Sequence, residues 1–234
     1  MRRAGYIQKT LVVSVGMLTA ILLVVLGCSA PPKAADSSAA ASASPDVTRD
    51  GLVRIDSDAP GDLFLRPDHG IGGYDAIVVA PAFVNYRRSS ARLDPDDEEL
   101  YLVMLEQALI DEANSIGAPI EYETGPCVIK IGIGFFNVDL ARSASAKILG
   151  EMILVVEYQD SLSGESLLRM TVPKRIEREA GGMNRADQIA ASFERMIDEV
   201  DIATAVRSAT ATPSKARPGC QGRLVGAGLP SVVN

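Results

Sequence analysis

The chain predicts an α+β domain of two layers: a four- or five-stranded, mostly antiparallel sheet with two long helices packed on one face. Three observations predict it. Two segments repeat apolar residues every three and four positions, which gives each helix one stripe that another layer must cover. Several segments between them alternate with period two, as strands exposed on one face do. The elements follow the order strand, helix, several strands, helix, with the tight turn Ser163-Gly164 joining two strands as antiparallel neighbours.

The first 28 residues stand apart from this domain. Arg2, Arg3 and Lys9 form a positive start, Leu11 to Gly27 carries no charge, and Val25-Leu26-Gly27-Cys28 closes the stretch. That is the order of a secretory signal. The closing tetrapeptide resembles the lipobox of bacterial lipoproteins, in which Cys28 is lipidated and becomes the mature N-terminus. Val25 and bulky Leu26 depart from its commonest form. The uncharged run from Thr10 to Ala30 also approaches the ~20 residues that span a bilayer, so an uncleaved inner-membrane anchor is the second reading. A buried helix of a cytosolic protein is the third. Residues 28–50 read as the lipidated cysteine and an Ala/Ser/Pro tether that cannot bury enough apolar surface to order itself. A coil of about 20 residues reaches roughly 25 Å.

The 234 residues carry a formal charge of -7, and the leader through Gly27 holds three bases and no acid, so the mature chain is near -10. Such an acidic protein is repelled by nucleic acid and has no polybasic grip on anionic lipid. Its membrane attachment is therefore covalent or hydrophobic. With Cys28 assigned to lipid, Cys127 and Cys220 remain as an even pair in an oxidising compartment and are expected to form a disulfide. The alternative is two free thiols. Neither lies in a C-x-x-C, so zinc and thioredoxin-like chemistry have no support.

Residues 51–207 are expected to form the single domain. Gly51 to Pro67 reads as an irregular lead-in with short edge strands at most. Tyr74 to Val84 is one continuous apolar strand, with Pro81 ending its regular pairing. Asp94 caps the clearest helix, Pro95 opens it, and Asp96 to Glu99 complement the positive end of its dipole. Leu102, Leu105, Leu109, Ala113 and Ile116 form its stripe, and Gly117 and Pro119 stop it. Pro119 to Thr124 is a short strand. Cys127 to Val138 alternates through Ile129, Ile131, Ile133 and Phe135, followed by strands Glu151–Asp160 and Glu165–Val172. Lys174 to Gly182 reads as polar and mobile. Asn184 caps a second helix running to about Val206, with Ile189, Phe193, Met196, Ile197 and Val200 inward. Residues 208–234 read as a loose tail held at Cys220.

No constellation carries chemistry on its face. His69 lies in a Gly-rich loop without a second histidine or a nearby cysteine, and an exposed loop histidine is the expected state. The acids from Asp94 to Glu99 lack the Gly at position six and the Glu at position twelve of an EF-hand, and a helix start explains them. Gly132 and Gly134 lie inside a strand and lack the helix of a dinucleotide fingerprint; they leave room for a bend or a packed helix. Ser143, Ser145 and Lys147 alternate in a loop with nothing to supply an oxyanion hole. Asp160 and Glu165 flank a hairpin, where a solvated turn is the ordinary explanation. No catalytic, cofactor or metal-binding residue is assigned.

Tyr74-Asp75-Ala76-Ile77-Val78-Val79-Ala80-Pro81, the strand Pro126–Phe135, and Glu157-Tyr158-Gln159-Asp160-Ser161 with Ser163-Gly164-Glu165 resemble an uncharacterised bacterial envelope lipoprotein family, DUF3313-like, over roughly Leu52 to Arg207. The resemblance implies a periplasm-facing lipoprotein with a mixed α/β domain and assigns no catalytic residue. The expected function is that of a non-enzymatic protein anchored at Cys28, on the outer membrane rather than the inner, that binds another envelope component. Its expected docking surfaces are an open sheet edge and the sheet face opposite the helices, where Lys130, Glu157 and Arg169 point. A small-ligand or lipid carrier, with the helices covering a cavity, is the second hypothesis, and a cell-envelope hydrolase the third.

Overall fold

A computed structural model describes residues 46–143, 145–179, 183–212 and 217–226. Cys28, the signal and nearly all of the tether lie outside them. In chain order the described residues form β1 (Val53–Ile55), β2 (Asp62–Leu65), a 3-10 turn (Ile71–Gly73), β3 (Ala76–Val79), β4 (Phe83–Tyr86) and α1 (Pro95–Ser115). Then come β5 (Val128–Leu140), β6 (Ile148–Asp160), β7 (Ser166–Glu177), α2 (Arg185–Asp198), α3 (Ile202–Ala211) and the short α4 (Arg223–Gly226).

The fold is α+β, but its sheet is larger than expected and is mixed. Seven strands take the order β1-β2-β7-β6-β5-β3, with β4 pairing β5 beyond β3. Neighbours from β1 to β5 along that path are antiparallel, whereas β3 and β4 both run parallel to β5. The parallel pairing follows from α1, which connects β4 to β5 and returns the chain in the same direction. Three differences account for the strand count. The lead-in contributes two short strands, and the single strand expected from Tyr74 to Val84 is broken at Ala80-Pro81-Ala82. Proline cannot donate to the ladder there. The strand expected from Pro119 to Thr124 is only an isolated bridge between Ile77 and Ile120. β7 runs on to Glu177, through residues expected to be mobile.

Period two sorts the long strands between core and solvent. Ile129, Ile131, Ile133 and Phe135 of β5 are buried beside Leu154, Val156 and Tyr158 of β6 and Leu168 and Met170 of β7. The alternation then shifts. Asn137 has φ 55° and the β5–β6 register slips between Phe136 and Asp139, a bulge that returns Val138 and Leu140 to the core. Asparagine tolerates this left-handed backbone better than most residues.

The helices cover this one face. Asp94 caps α1 by accepting from the Asp96 amide at 3.0 Å, and Tyr101, Leu105, Leu109 and Ala113 are buried beneath it. Phe193 of α2 stacks on Tyr101 with ring centroids 4.9 Å apart and meets the edge of Phe135 at 4.8 Å. One side chain thus joins α1, α2 and β5, and burying a phenylalanine stabilises by about 1.5–3 kcal/mol.

The second helix ends sooner than expected. The side chain of Asp201 accepts from Thr204 N at 2.9 Å and starts α3 as a separate helix. The tail is not loose where it is described. Ala209 of α3 is fully buried, Leu224 is buried, and the Leu224 amide donates to Tyr74 O at 3.1 Å.

Candidate functional site

Polar chemistry collects at the end of the sheet where β5 begins and β6 ends. The antiparallel register sets Ile129 against Asp160, so the neighbours of Cys127 and the hairpin after Asp160 share one corner. Cys127 and Cys220 are bonded there, with S–S 2.03 Å, across 93 positions of sequence. The bridge brings Arg217 to the same corner. Its Nη2 donates to Asp160 Oδ2 at 2.5 Å, its Nη1 to Tyr74 Oη at 2.9 Å, and its Nε to Pro126 O at 2.6 Å. The guanidinium also lies over the Tyr74 ring, 4.4 Å from the centroid.

Asp160 is buried, contrary to the solvated turn expected of it. Its Oδ2 also accepts from Tyr74 Oη at 2.8 Å, and its Oδ1 accepts from Leu162 N, Ser163 N and Ser163 Oγ at 2.8–3.1 Å. Burial by itself pushes this carboxyl up. The hydrogen bonds from Ser163 and Tyr74, with the charge of Arg217, overcome that and hold it at about 2. The same surroundings act oppositely on Tyr74, whose phenol is pushed well above its usual range by burial and by its bond to Asp160. Neither group offers a proton exchange near neutral pH, and both oxygens of Asp160 are engaged. The arrangement ties the C-terminal segment to the sheet.

The cleft beside this corner, about 370 Å³, is lined by Arg66, His69, Tyr74, Asp160, Glu165 and Arg217 among others. Arg66 pairs with Glu165 at 3.1 Å and donates from Nε to Ser166 O at 2.6 Å. His69 is 2% exposed, the opposite of the exposed loop histidine the sequence suggests. Its Nδ1 accepts from the Ile71 amide at 3.1 Å, which fixes the neutral tautomer with hydrogen on Nε2. Burial lowers its pKa, against the opposing pull of the Thr212 backbone and Asp68. Asp75 lies beside the disulfide, but its carboxylate accepts from the Gln221 and Arg223 amides. The bonded sulfurs leave no thiolate for a metal.

The other candidates fall elsewhere. Ser143 and Ser145 bond each other at 2.9 Å in an exposed loop. A Cβ on Gly134 would strike the Phe83 backbone, so this glycine makes room for β4 and not for a helix. Lys130, Glu157 and Arg169 share the sheet face opposite the helices, as expected. Arg169, however, pairs with Glu157 at 2.6 Å and Asp50 at 2.7 Å.

The centre of that face is less polar than its corners. Phe83 and Phe136 are 40% and 42% exposed, and half-buried Ile153 and Val155 continue the strip on β6. At one end the face forms a shallow depression of about 410 Å³ lined by Arg87, Asn137, Glu151, Ile153, Pro173 and Arg175 among others. Among the described residues no helix is long and apolar enough to cross a membrane.

No protein-family model matches the chain, so the DUF3313-like resemblance gains no support from one, and no curated protein matches it. Among solved structures it is similar to protein XCC0632 from Xanthomonas campestris, of a family described as DUF330. That match has 14% identity over 59% of this chain and 88% of that chain, with a TM-score of 0.35. A minor lipoprotein from Acinetobacter baumannii matches at 13% identity over 61% of this chain and 98% of that one, with a TM-score of 0.33. Lipoprotein GNA1162 from Neisseria meningitidis matches at 9% over 53% and 96%, with a TM-score of 0.31. Likeness at these scores carries no argument about activity or partner.

Proposed function

We propose that the chain is a non-enzymatic envelope protein, anchored through Cys28 at the outer membrane, that binds another envelope component through the uncovered face of its sheet. The observation that carries this reading is the one-sided architecture. Among the described residues the helical cover lies on the core face, while the opposite face presents Phe83, Phe136, Ile153 and Val155 to solvent. Exposed apolar surface rimmed by charge marks interaction sites more often than bare surface. The carrier reading gains nothing comparable, because Phe193, Tyr101 and Phe135 fill the space between sheet and helices where a ligand would lie. At the polar corner Arg66 is paired with Glu165 and Arg217 with Asp160, which weighs for the non-enzymatic reading.

The test is photo-cross-linking in living cells with the full-length chain. A photoreactive residue at Phe136 is compared with one at Asp198, an exposed position at the end of α2. A discrete adduct from position 136 alone supports docking on the sheet face. Adducts from neither position, in cells where the protein is mature and abundant, overturn it. Glu157 and Arg169 are poorer probes, because they hold each other and Arg169 also holds Asp50.

A further inference from the structure

α1 carries apolar residues on the side where a surface helix should be polar. Its buried side is set by Tyr101, Leu105, Leu109 and Ala113. Leu100, Val103 and Ile110 lie on the opposite side, with Leu100 52% and Val103 59% exposed, and of the same row only Gln107, which bonds Asp111, is polar. The apolar strip does not stop at the helix. Ile110 joins Ile120, Tyr122, Val79 and Pro81 around a cleft of about 260 Å³, and the Tyr122 ring at its rim is almost wholly exposed.

Along the segment that carries this strip the charge has one sign. From Leu93 to Ile129 there is no Lys, Arg or His, against ten Asp and Glu. Among the described residues none of these acids forms an ion pair. A few serve the fold: Asp94 caps the helix, Glu98 accepts from Tyr86 Oη and Glu106 accepts from the Ala82 amide. Glu99, Glu121 and Glu123 have no such duty and are exposed. Dipole complementarity explains acids in the first turn only. It does not explain acids at the far end of the helix and beyond it.

We propose that the solvent-facing side of α1, with the cleft at Ile110 and Tyr122, docks a protein segment that carries both apolar and basic side chains. The apolar strip gives burial, and the unpaired acids around it select a cationic partner and reject anionic ones by like-charge repulsion. An anionic lipid surface is rejected on the same ground. This inference rests on the reading of the chain as a docking protein but uses the layer opposite the sheet face, so either surface can fail alone.

The experiment uses the full-length protein in detergent micelles and a synthetic amphipathic helix of leucine and lysine as the probe. A leucine and glutamate helix of the same pattern is the control. Two variants separate the surfaces: Leu100→Ser with Val103→Ser on α1, and Phe136→Ser on the sheet. All these side chains are exposed, and thermal melting checks that each variant stays folded. The lysine probe is expected to bind at least ~10-fold more tightly than the glutamate control. The α1 double variant is expected to lose about 10-fold in affinity, with Phe136→Ser unchanged. Equal binding by the wild type and the α1 variant overturns the proposal, because it reduces the attraction to net charge. Loss with Phe136→Ser instead moves the site to the sheet and also overturns it. So does a double variant that only converts a self-associated protein to monomer, which would assign the strip to a second copy of the chain.

Discussion

Five donors converge on the two carboxylate oxygens of Asp160, and they keep the group at about 2 against an ordinary value of 3.8. A carboxyl depressed on folding contributes stability that is fully present above its unfolded pKa and is lost as pH falls through the folded value. The contribution is on the order of 2 kcal/mol, present above about pH 4 and gone below about pH 2. Asp160→Asn should therefore lower the urea-unfolding free energy by about 2 kcal/mol at pH 7, and the deficit should shrink as both proteins are acidified below about pH 4. A deficit that stays constant would mean that amide geometry, and not charge, sets the cost. His69 adds a separate effect with its own window. Its folded pKa is lowered, so its contribution is present above about 6.5 and falls as acid forces a proton onto a buried ring.

At the scale of elements, the disulfide and Arg217 act together to dock the end of the chain. The pairing of Cys127 with Cys220 was readable from an even count, but the role of Arg217 was not, because it meets Asp160 57 positions away. One signal pointed there. A bridge from Cys220 to the start of β5 delivers the residues just before Cys220 to the end of β6, since antiparallel neighbours share that corner. The break between α2 and α3 was hidden for a different reason: apolar spacing continues through Val200, and only the cap formed by Asp201 separates the helices. Reducing the disulfide frees a long loop in the unfolded chain and should cost about 2–4 kcal/mol. In hydrogen exchange, the Gln221 and Leu224 amides, which bond Asp75 and Tyr74, should lose protection first. Amides of β6 should keep theirs. Simultaneous loss in both places would mean that the tail and sheet unfold as one unit.

For the whole molecule, the two-layer plan was readable because it rests on periodicity, a local property of the chain. Ile129 to Phe135 and the α1 stripe each announce one buried face. The parallel placement of β3 and β4 was not, since register and strand direction depend on contacts far apart in sequence. The exposed apolar side of α1 was hidden for a related reason: a helix apolar on several sides reads as well packed until its cover is known. The domain is acidic, which disfavours contact with an anionic bilayer, and none of its described helices is long and apolar enough to cross a membrane. The membrane attachment proposed above therefore rests on the leader, whose Cys28 lies outside the described residues. Cys28→Ala should block lipidation, and the two readings of the leader diverge at that point. If the stretch is a lipoprotein signal, the variant loses its lipid and also its processing site. It should accumulate with its leader intact, larger than the mature protein by sodium dodecyl sulfate gel electrophoresis, while the wild type gives a mature form labelled by radioactive palmitate. If the stretch is a permanent span, wild type and variant should migrate alike and neither should take up palmitate. A wild type that is unlabelled yet soluble in the periplasm would refute both, because it would require cleavage without a lipid.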